Sequence, residues 1–316
     1  MLKVCVLMGG SSTEREVSLI SANEIIKNLN KSKYDIYDID IPKDGSTDWI
    51  KKLLDNPPDM VLSALHGGMG ENGAVQGLLD CMRIPYIGSR VMSSAICLNK
   101  HISKIIMKSF NIPVALDILI KNIDELFLNE EFIKNEIGFP LIVKPNSGGS
   151  SIGISMAYDF LNLTKSVEAV LGMNDFVLIE KYIYGQEVIC SMVEGENGLS
   201  VLPVIEIRSP DMFSDYNEKY FTEDRNAEFS NLPDFLKTMI QEIAKKAFLA
   251  LDCKGYAMVD MVVCEEQITV IEVNTLPGLT GKSLIPKATK YTEGGFSGFL
   301  DKLIEFELRT TKKNYV

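Results

Sequence analysis

The sequence predicts a mixed architecture, an α/β domain on an open parallel sheet followed by α+β domains, and three observations carry that prediction. Roughly the first ninety residues alternate strand and helix patterns, as parallel sheets with crossover helices do. Beyond Lys100 the alternation gives way to hairpin-like strand pairs and separate helices. At 316 residues the chain exceeds what one ordinary hydrophobic core covers, so two or three domains are expected.

The elements follow in order. Leu2 to Met8 is an almost unbroken apolar run that suits a buried parallel strand. Thr13 and Glu16 read as a capping box for a helix in which Leu19, Ala22, Ile26 and Leu29 recur at spacings of three and four. Further strands are expected at Tyr34 to Ile41, Met60 to Leu65 and Pro85 to Ile87, with helices at Asp48 to Leu54 and Val75 to Met82. After Lys100 come a helix to about Phe110, a strand Val114 to Ile120, a helix Ile123 to Ile137 and a strand Leu141 to Lys144. Strands near Phe176 to Lys181, Glu187 to Val193 and Val201 to Ile207 lead to a polar loop, Ser209 to Ser230, of the length usual for a lid. A helix through Leu236, Ile240, Ile243 and Ala247, two strands (Tyr256 to Cys264 and Gln267 to Asn274) and an amphipathic helix from Phe296 to Leu308 complete the pattern.

Composition narrows the function. A net charge of -11 opposes any broad phosphate-backbone footprint, so nucleic acid is not an expected partner. No apolar run approaches the roughly 20 residues of a membrane span, and the first apolar run is too short for a signal-peptide core. The six cysteines lie scattered with no C-x-x-C pair and are expected to be reduced core residues of a cytoplasmic protein. With only His66 and His101 available, a metal must take oxygen ligands.

Three segments carry candidate chemistry. Asp260, Glu272 and Asn274 are ionisable or polar groups inside apolar strands, where an unpaired charge is expensive. Glu272 and Asn274 share a strand face, and a three-residue loop at Glu265 to Gln267 would set Asp260 opposite Glu272, giving a hard oxygen cluster suited to magnesium on nucleotide phosphates. Their alternative is a solvated sheet face. The loop Lys144-Pro145-Asn146-Ser147-Gly148-Gly149-Ser150-Ser151-Ile152-Gly153 follows a strand and could cradle phosphates with backbone N–H groups and Lys144, or be a plain turn. The openings Gly9-Gly10-Ser11-Ser12-Thr13-Glu14 and His66-Gly67-Gly68-Met69-Gly70-Glu71 sit at the carboxyl edge of the expected sheet, where doubly wound folds bind ligands. The first of these openings lacks G-x-G-x-x-G and so carries no dinucleotide fingerprint, and Gly281-Lys282-Ser283 lacks the first glycine of a P-loop.

Taken in order, G-G-x-S-x-E-x-x-V-S, H-G-x-x-G-E-x-G, K-P-x-x-x-G-S-S-x-G, Asp215-Tyr216-Asn217-Glu218-Lys219-Tyr220 and E-V-N-T-x-P-G at Glu272 to Gly278 resemble the D-alanine–D-alanine ligases of the ATP-grasp superfamily. The resemblance runs over essentially the whole chain. It implies an N-terminal Rossmann-like domain over residues 1–95, a central α+β subdomain over 96–182 and a C-terminal α+β subdomain over 183–316 with a lid at 209–230. It also implies ATP as co-substrate, two magnesium ions replaceable by manganese, a cytoplasmic homodimer, and a role in making peptidoglycan precursors.

Carried over by position, the resemblance assigns Lys100, Lys144 and Ser151 to ATP phosphates and Glu180, Lys181, Tyr182, Ile183 and Glu187 to adenine and ribose. Asp260, Glu272 and Asn274 become metal ligands, and Glu14 holds the ammonium of the first D-alanine with Ser150 and Tyr220 fixing it. His66 lies near that substrate's carboxylate, Lys219 meets the transferred phosphate, and Gly278, Ser283 and Leu284 line the second D-alanine site. One departure stands out. Met258 occupies the family's usual arginine position, which removes a cationic donor, and Lys282 is the candidate substitute cation. The alternatives are a ligase whose second substrate is D-serine or D-lactate, and a paralogue that binds nucleotide or D-alanine without turnover.

Overall fold

A computed structural model describes residues 1–208, 227–290, 292 and 294–314. The strands are β1 (Leu2–Gly9), β2 (Tyr34–Ile41), β3 (Met60–Ser63), β4 (Asp117–Ile120), β5 (Leu141–Pro145), β6 (Ser155–Ala157), β7 (Val177–Lys181), β8 (Gln186–Gly195), β9 (Gly198–Val201), β10 (Ile205–Ile207), β11 (Ala227–Phe229), β12 (Tyr256–Cys264) and β13 (Gln267–Asn274). The α-helices are α1 (Arg15–Asn28), α2 (Asp48–Asp55), α3 (Ala74–Met82), α4 (Val91–Leu98), α5 (Lys100–Ser109), α6 (Ile123–Leu128), α7 (Glu130–Phe132), α8 (Phe160–Leu171), α9 (Asp234–Ala250), α10 (Leu284–Thr289) and α11 (Gly295–Asn314).

Among the described residues these strands form three sheets: parallel β2-β1-β3, antiparallel β4-β7-β5-β6, and antiparallel β11-β10-β8-β12-β13 with β9 on β8. The first sheet is the parallel one the alternating pattern predicts, although Pro85 to Ile87 adds only a single bridge, Val61 to Tyr86. Its core takes in residues from the far end of the chain. Phe299, Leu300, Leu303 and Ile304 of α11, with Tyr256, pack into the same cluster as Val4, Val6, Ile25 and Leu62. A second cluster lies between α9 and strands β8, β12 and β13, and a third between the sheet of β5 and β7 and helices α6 and α8.

Several expected elements are broken by side chains that compete for the backbone. The helix expected over 123–137 stops at Leu128 because the Asn129 side chain donates to the Glu125 carbonyl at 2.8 Å, and a wider helical turn covers Ile133–Ile137. The strand expected over 201–207 is two strands, since Pro203 between them has no N–H to give a ladder. Val114 leaves the expected strand to bridge Val270, so that stretch ties the second and third sheets together. The Thr13–Glu16 capping box does not form: α1 starts at Arg15 with Glu14 in place of Thr13 as N-cap, and the Glu14 carboxylate, taken by Ser150, makes no cap bond. Helix α4 lies within a stretch with no expected element. Of the cysteines expected in the core, Cys81 and Cys264 are exposed, and all six are free thiols.

Strands β12 and β13 reach the expected register by another route. Their turn has two residues, Glu265 and Glu266, pairing Cys264 with Gln267, and that register alone would not set Asp260 against Glu272. A bulge between Asp260 and Met261 shifts the ladder by one, and Asp260 then pairs with Glu272.

Because α11 supplies fully buried leucine to a core built mainly by the first sheet, Leu300→Ala is expected to cost about 2–5 kcal/mol of unfolding free energy. Urea unfolding measures this. A loss below about 1 kcal/mol would show that α11 is peripheral to that core.

Candidate active site

The loops that follow β1, β3 and β5 converge with the β12–β13 hairpin around two neighbouring cavities. The larger, about 500 Å³, is lined by Lys100, Lys144, Gly148 to Ile152, Glu180 to Ile183, Glu187, Asp260 and Glu272. The smaller, about 40 Å³, is lined by Glu14, His66, Glu71, Asn274 and Thr275. Lys100, Gly148, Gly149, Ser150 and Glu272 line both, so the two spaces share one wall.

Lys100 opens α5, whose N-cap Asn99 accepts the Ile102 N–H at 3.1 Å, and its ammonium donates to the Gly148 carbonyl at 2.6 Å and lies 3.2 Å from Glu272. Asn146 fastens the Gly/Ser loop to the same helix: its carbonyl accepts the Lys100 N–H at 3.1 Å and its side chain accepts the His101 N–H at 3.0 Å. Ser150 and Ser151 then turn with φ of 50° and 61°, which aims the Ser150 hydroxyl back at Glu14. Close approach explains two glycines. A Cβ at Gly67, where φ is +66°, would stand 2.6 Å from a Glu14 carboxylate oxygen, and one at Gly149 would stand 3.0 Å away.

Below the larger cavity lies a layer of buried charge. Lys144 is paired with one oxygen of Glu180, and Lys104 lies 2.5 Å from the other. Burial acts to raise the Glu180 pKa, but Lys144 and Lys104 outweigh it and hold the carboxyl well below its usual range. Burial acts to lower Lys144, and Glu180 with Glu272 holds it above its ordinary value. Lys104 and Asp117, which complete this layer, and Glu71 in the smaller cavity carry no role in the sequence reading. The signal for Lys104 is its place four residues after Lys100, on the same helical face.

Asp260 and Glu272 are cross-strand partners, and Asn274, two residues on, shares the Glu272 face and accepts the Leu276 N–H at 2.9 Å. Among the described residues no group of three or more His, Cys, Asp or Glu side chains could hold a metal, so this mixed carboxylate–amide set is the candidate. Other expected residues stand apart from the cavities. Ser283 bonds the Thr280 N–H and hydroxyl at 3.1 and 2.9 Å, Leu284 is buried beside Ile189 and Ile205, and Gly278 is half-buried; none of the three lines either space. Met258 packs against that same apolar cluster, and Lys282 is exposed and lines neither cavity. Lys219 and Tyr220, with most of the expected lid, lie outside the described residues.

His66 and Glu71 have opposite displaced titrations. Burial pushes His66 down to about 4, and its Nε2 is 3.1 Å from the Ser21 hydroxyl. Burial, with the Glu14 charge, pushes Glu71 up to about 7, although it accepts the Gly67 N–H at 2.8 Å. The stability Glu71 contributes is therefore full below its unfolded pKa of 4.5 and is lost as pH rises through about 7. The stability from His66 is present above 6.5 and lost as pH falls through about 4, so the two slopes oppose between. In Glu71→Gln only the His66 slope remains, and unfolding free energy should rise with pH over that window, departing from the unaltered chain by up to ~3 kcal/mol. Urea unfolding from pH 4.5 to 7 checks this, and identical profiles would remove the raised Glu71.

Comparison with known proteins gives this geometry a family. Models described as the N-terminus and C-terminus of D-ala D-ala ligase match residues 3–56 with 51–89, and 106–305. A D-alanine–D-alanine ligase of Bacillus anthracis is 41% identical over 312 residues, 99% of each chain. The crystal structure of a Bacillus anthracis D-alanine–D-alanine ligase complexed with ATP superposes with a TM-score of 0.84 at 39% identity, covering 99% of this chain and 100% of that one. The VanG D-Ala:D-Ser ligase of Enterococcus faecalis gives 0.83 at 30% identity, covering 97% and 99%. The architecture is accordingly the ATP-grasp fold that the ordered motifs imply. On full-length similarity, fold and the loops that meet at the shared wall, the chain belongs to the D-alanine–D-alanine ligase family.

Proposed function

We propose that this chain joins two D-alanines in an ATP-dependent reaction that supplies peptidoglycan precursors. The observation that carries the reading is the shared wall: a space of nucleotide size adjoins a small polar space across Lys100, Gly148 to Ser150 and Glu272. Activating a carboxylate with ATP requires the γ-phosphoryl group and that carboxylate to meet at such a boundary. A carboxylate oxygen of the first D-alanine attacks the γ-phosphorus and the bond to ADP breaks. The amine of the second D-alanine then attacks the acyl carbon, the carbon–oxygen bond to phosphate breaks, and a proton leaves the nitrogen.

Each residue has a part in this proposal. Lys100 and Lys144 draw the phosphates, with Ser151 and Lys219 at the transferred group, and Glu180 to Ile183 with Glu187 receive adenine and ribose. Glu14, steadied by Ser150 and Tyr220, orients the ammonium of the first substrate, and His66 sits by its carboxylate. Gly278, Ser283 and Leu284 would border the second substrate. Asp260, Glu272 and Asn274 offer oxygen donors only, two of them anionic, and so fit magnesium or manganese. Bound there, the metal would neutralise charge on the phosphates. The three-part division at 95 and 182, the homodimer and a cytoplasmic location belong to the same proposal; among the described residues no helix is long and apolar enough to cross a membrane.

The deciding experiment is phosphate release with D-alanine as the only amino acid, ATP and magnesium. Turnover yielding the dipeptide supports the reading, whereas nucleotide binding without turnover would assign a non-catalytic paralogue, and a requirement for D-serine would change the second substrate. Glu272→Gln should lower turnover at least about a hundredfold while circular dichroism and unfolding stay near those of the unaltered chain. Full activity in that variant would remove Glu272 from the site.

A further inference from the structure

We propose that Lys104 is a positioning residue for nucleotide binding: it keeps Glu180 neutralised so that Lys144 can leave that carboxylate for a phosphate. The inference rests on reading the larger cavity as the nucleotide site. In the structure Lys144 is engaged by Glu180, and a lysine held by a buried carboxylate has to be released before it can serve an incoming anion. Withdrawing the only counter-ion of a buried carboxylate is costly.

Glu180 avoids that cost by dividing its oxygens. Oε1 faces Lys144, which lines the cavity, while Oε2 faces Lys104, 2.5 Å away, which lines neither cavity and is 1% exposed. The arrangement follows from register. Lys144 pairs with Leu178 across β5 and β7, so Glu180, two residues on, lies diagonally on the same sheet face, and Asp117 pairs with Glu180 from β4. Asp117 does not draw Lys104 away. Its carboxylate is already met by His101 at 2.7 Å and Lys108 at 2.8 Å, and it stands 3.7 Å from Lys104. The charge of Lys104 is therefore directed at Glu180. Helix α5 makes the link, because Lys100 and Lys104 are one turn apart and the element that presents one lysine to the cavity buries the other beneath it.

The test is ATP titration by calorimetry with steady-state kinetics on the full chain. Lys104→Met should raise Kd and KM for ATP at least about tenfold, while kcat at saturating ATP and KM for D-alanine change less than about threefold. Lys104→Arg, which keeps the charge, should stay within about threefold of the unaltered chain. In a Glu180→Gln background no carboxylate holds Lys144, so adding Lys104→Met should alter ATP affinity less than about twofold. An unchanged Kd in the single variant, a loss confined to kcat, or the same tenfold loss in the Glu180→Gln background would overturn the proposal. If Lys104→Met fails to fold, the Glu180→Gln pair, from which both charges are gone, decides by the same criterion. A chain whose ATP binding responds to Lys144→Ala but to none of these changes leaves the nucleotide site standing and refutes Lys104 alone; a chain that binds no ATP refutes both.

Discussion

A carboxylate taken out of water costs several kcal/mol unless a cation faces it, and the layer beneath the larger cavity holds Asp117 and Glu180 with Lys104 and Lys144, all buried. That requirement fixes much of the surrounding structure. Strands β4, β7 and β5 must lie side by side in one register for Asp117, Glu180 and Lys144 to meet on a common face, and α5 must cross that face to bring Lys104 down. The apolar cluster of Leu141, Val143, Val177 and Ile179 holds the other face of the same strands. Packing on one side and charge pairing on the other therefore depend on a single alignment.

The same logic runs through the smaller space. Glu14, Glu71 and Glu272 approach it from three separate segments, and Lys100 is the cation at their boundary. Burial first, and the neighbouring Glu14 charge second, raise the proton affinity of Glu71, which is how it departs from ordinary carboxylate behaviour. A cation brought to that space would relieve the repulsion between Glu14 and Glu71. His66 stays neutral beside it and can accept or donate a hydrogen bond without adding charge.

Glycine and asparagine do the local work that lets these groups converge. Gly67 and Gly149 leave room for the Glu14 carboxylate between two loops, and Asn146 binds the Gly/Ser loop to the first turn of α5. At the hairpin a bulge places Asp260 against Glu272. Small changes of backbone course, each fixed by one side chain or its absence, therefore set the two cavities beside each other.

Much of this was legible in the chain as written. Apolar periodicity located the parallel strand Leu2–Gly9, helix α9 and the β12–β13 hairpin, because burial of one face or stripe dictates where apolar residues recur. The ordered glycine-rich motifs identified the loops that line the cavities, since close backbone approach tolerates few residue types there. What the sequence could not express was competition over distance. That Glu14 would answer to Ser150, that Asn129 would end a helix, and that a bulge would repair the register of Asp260 depended on partners brought together by folding. Lys104 is the clearest case: its place four residues after Lys100 marks only a shared helical face, and the packing of α5 on β4 and β7 turns it into the buried counter-ion of Glu180. Periodicity records which side of an element is buried; which charge waits there is decided by the tertiary structure.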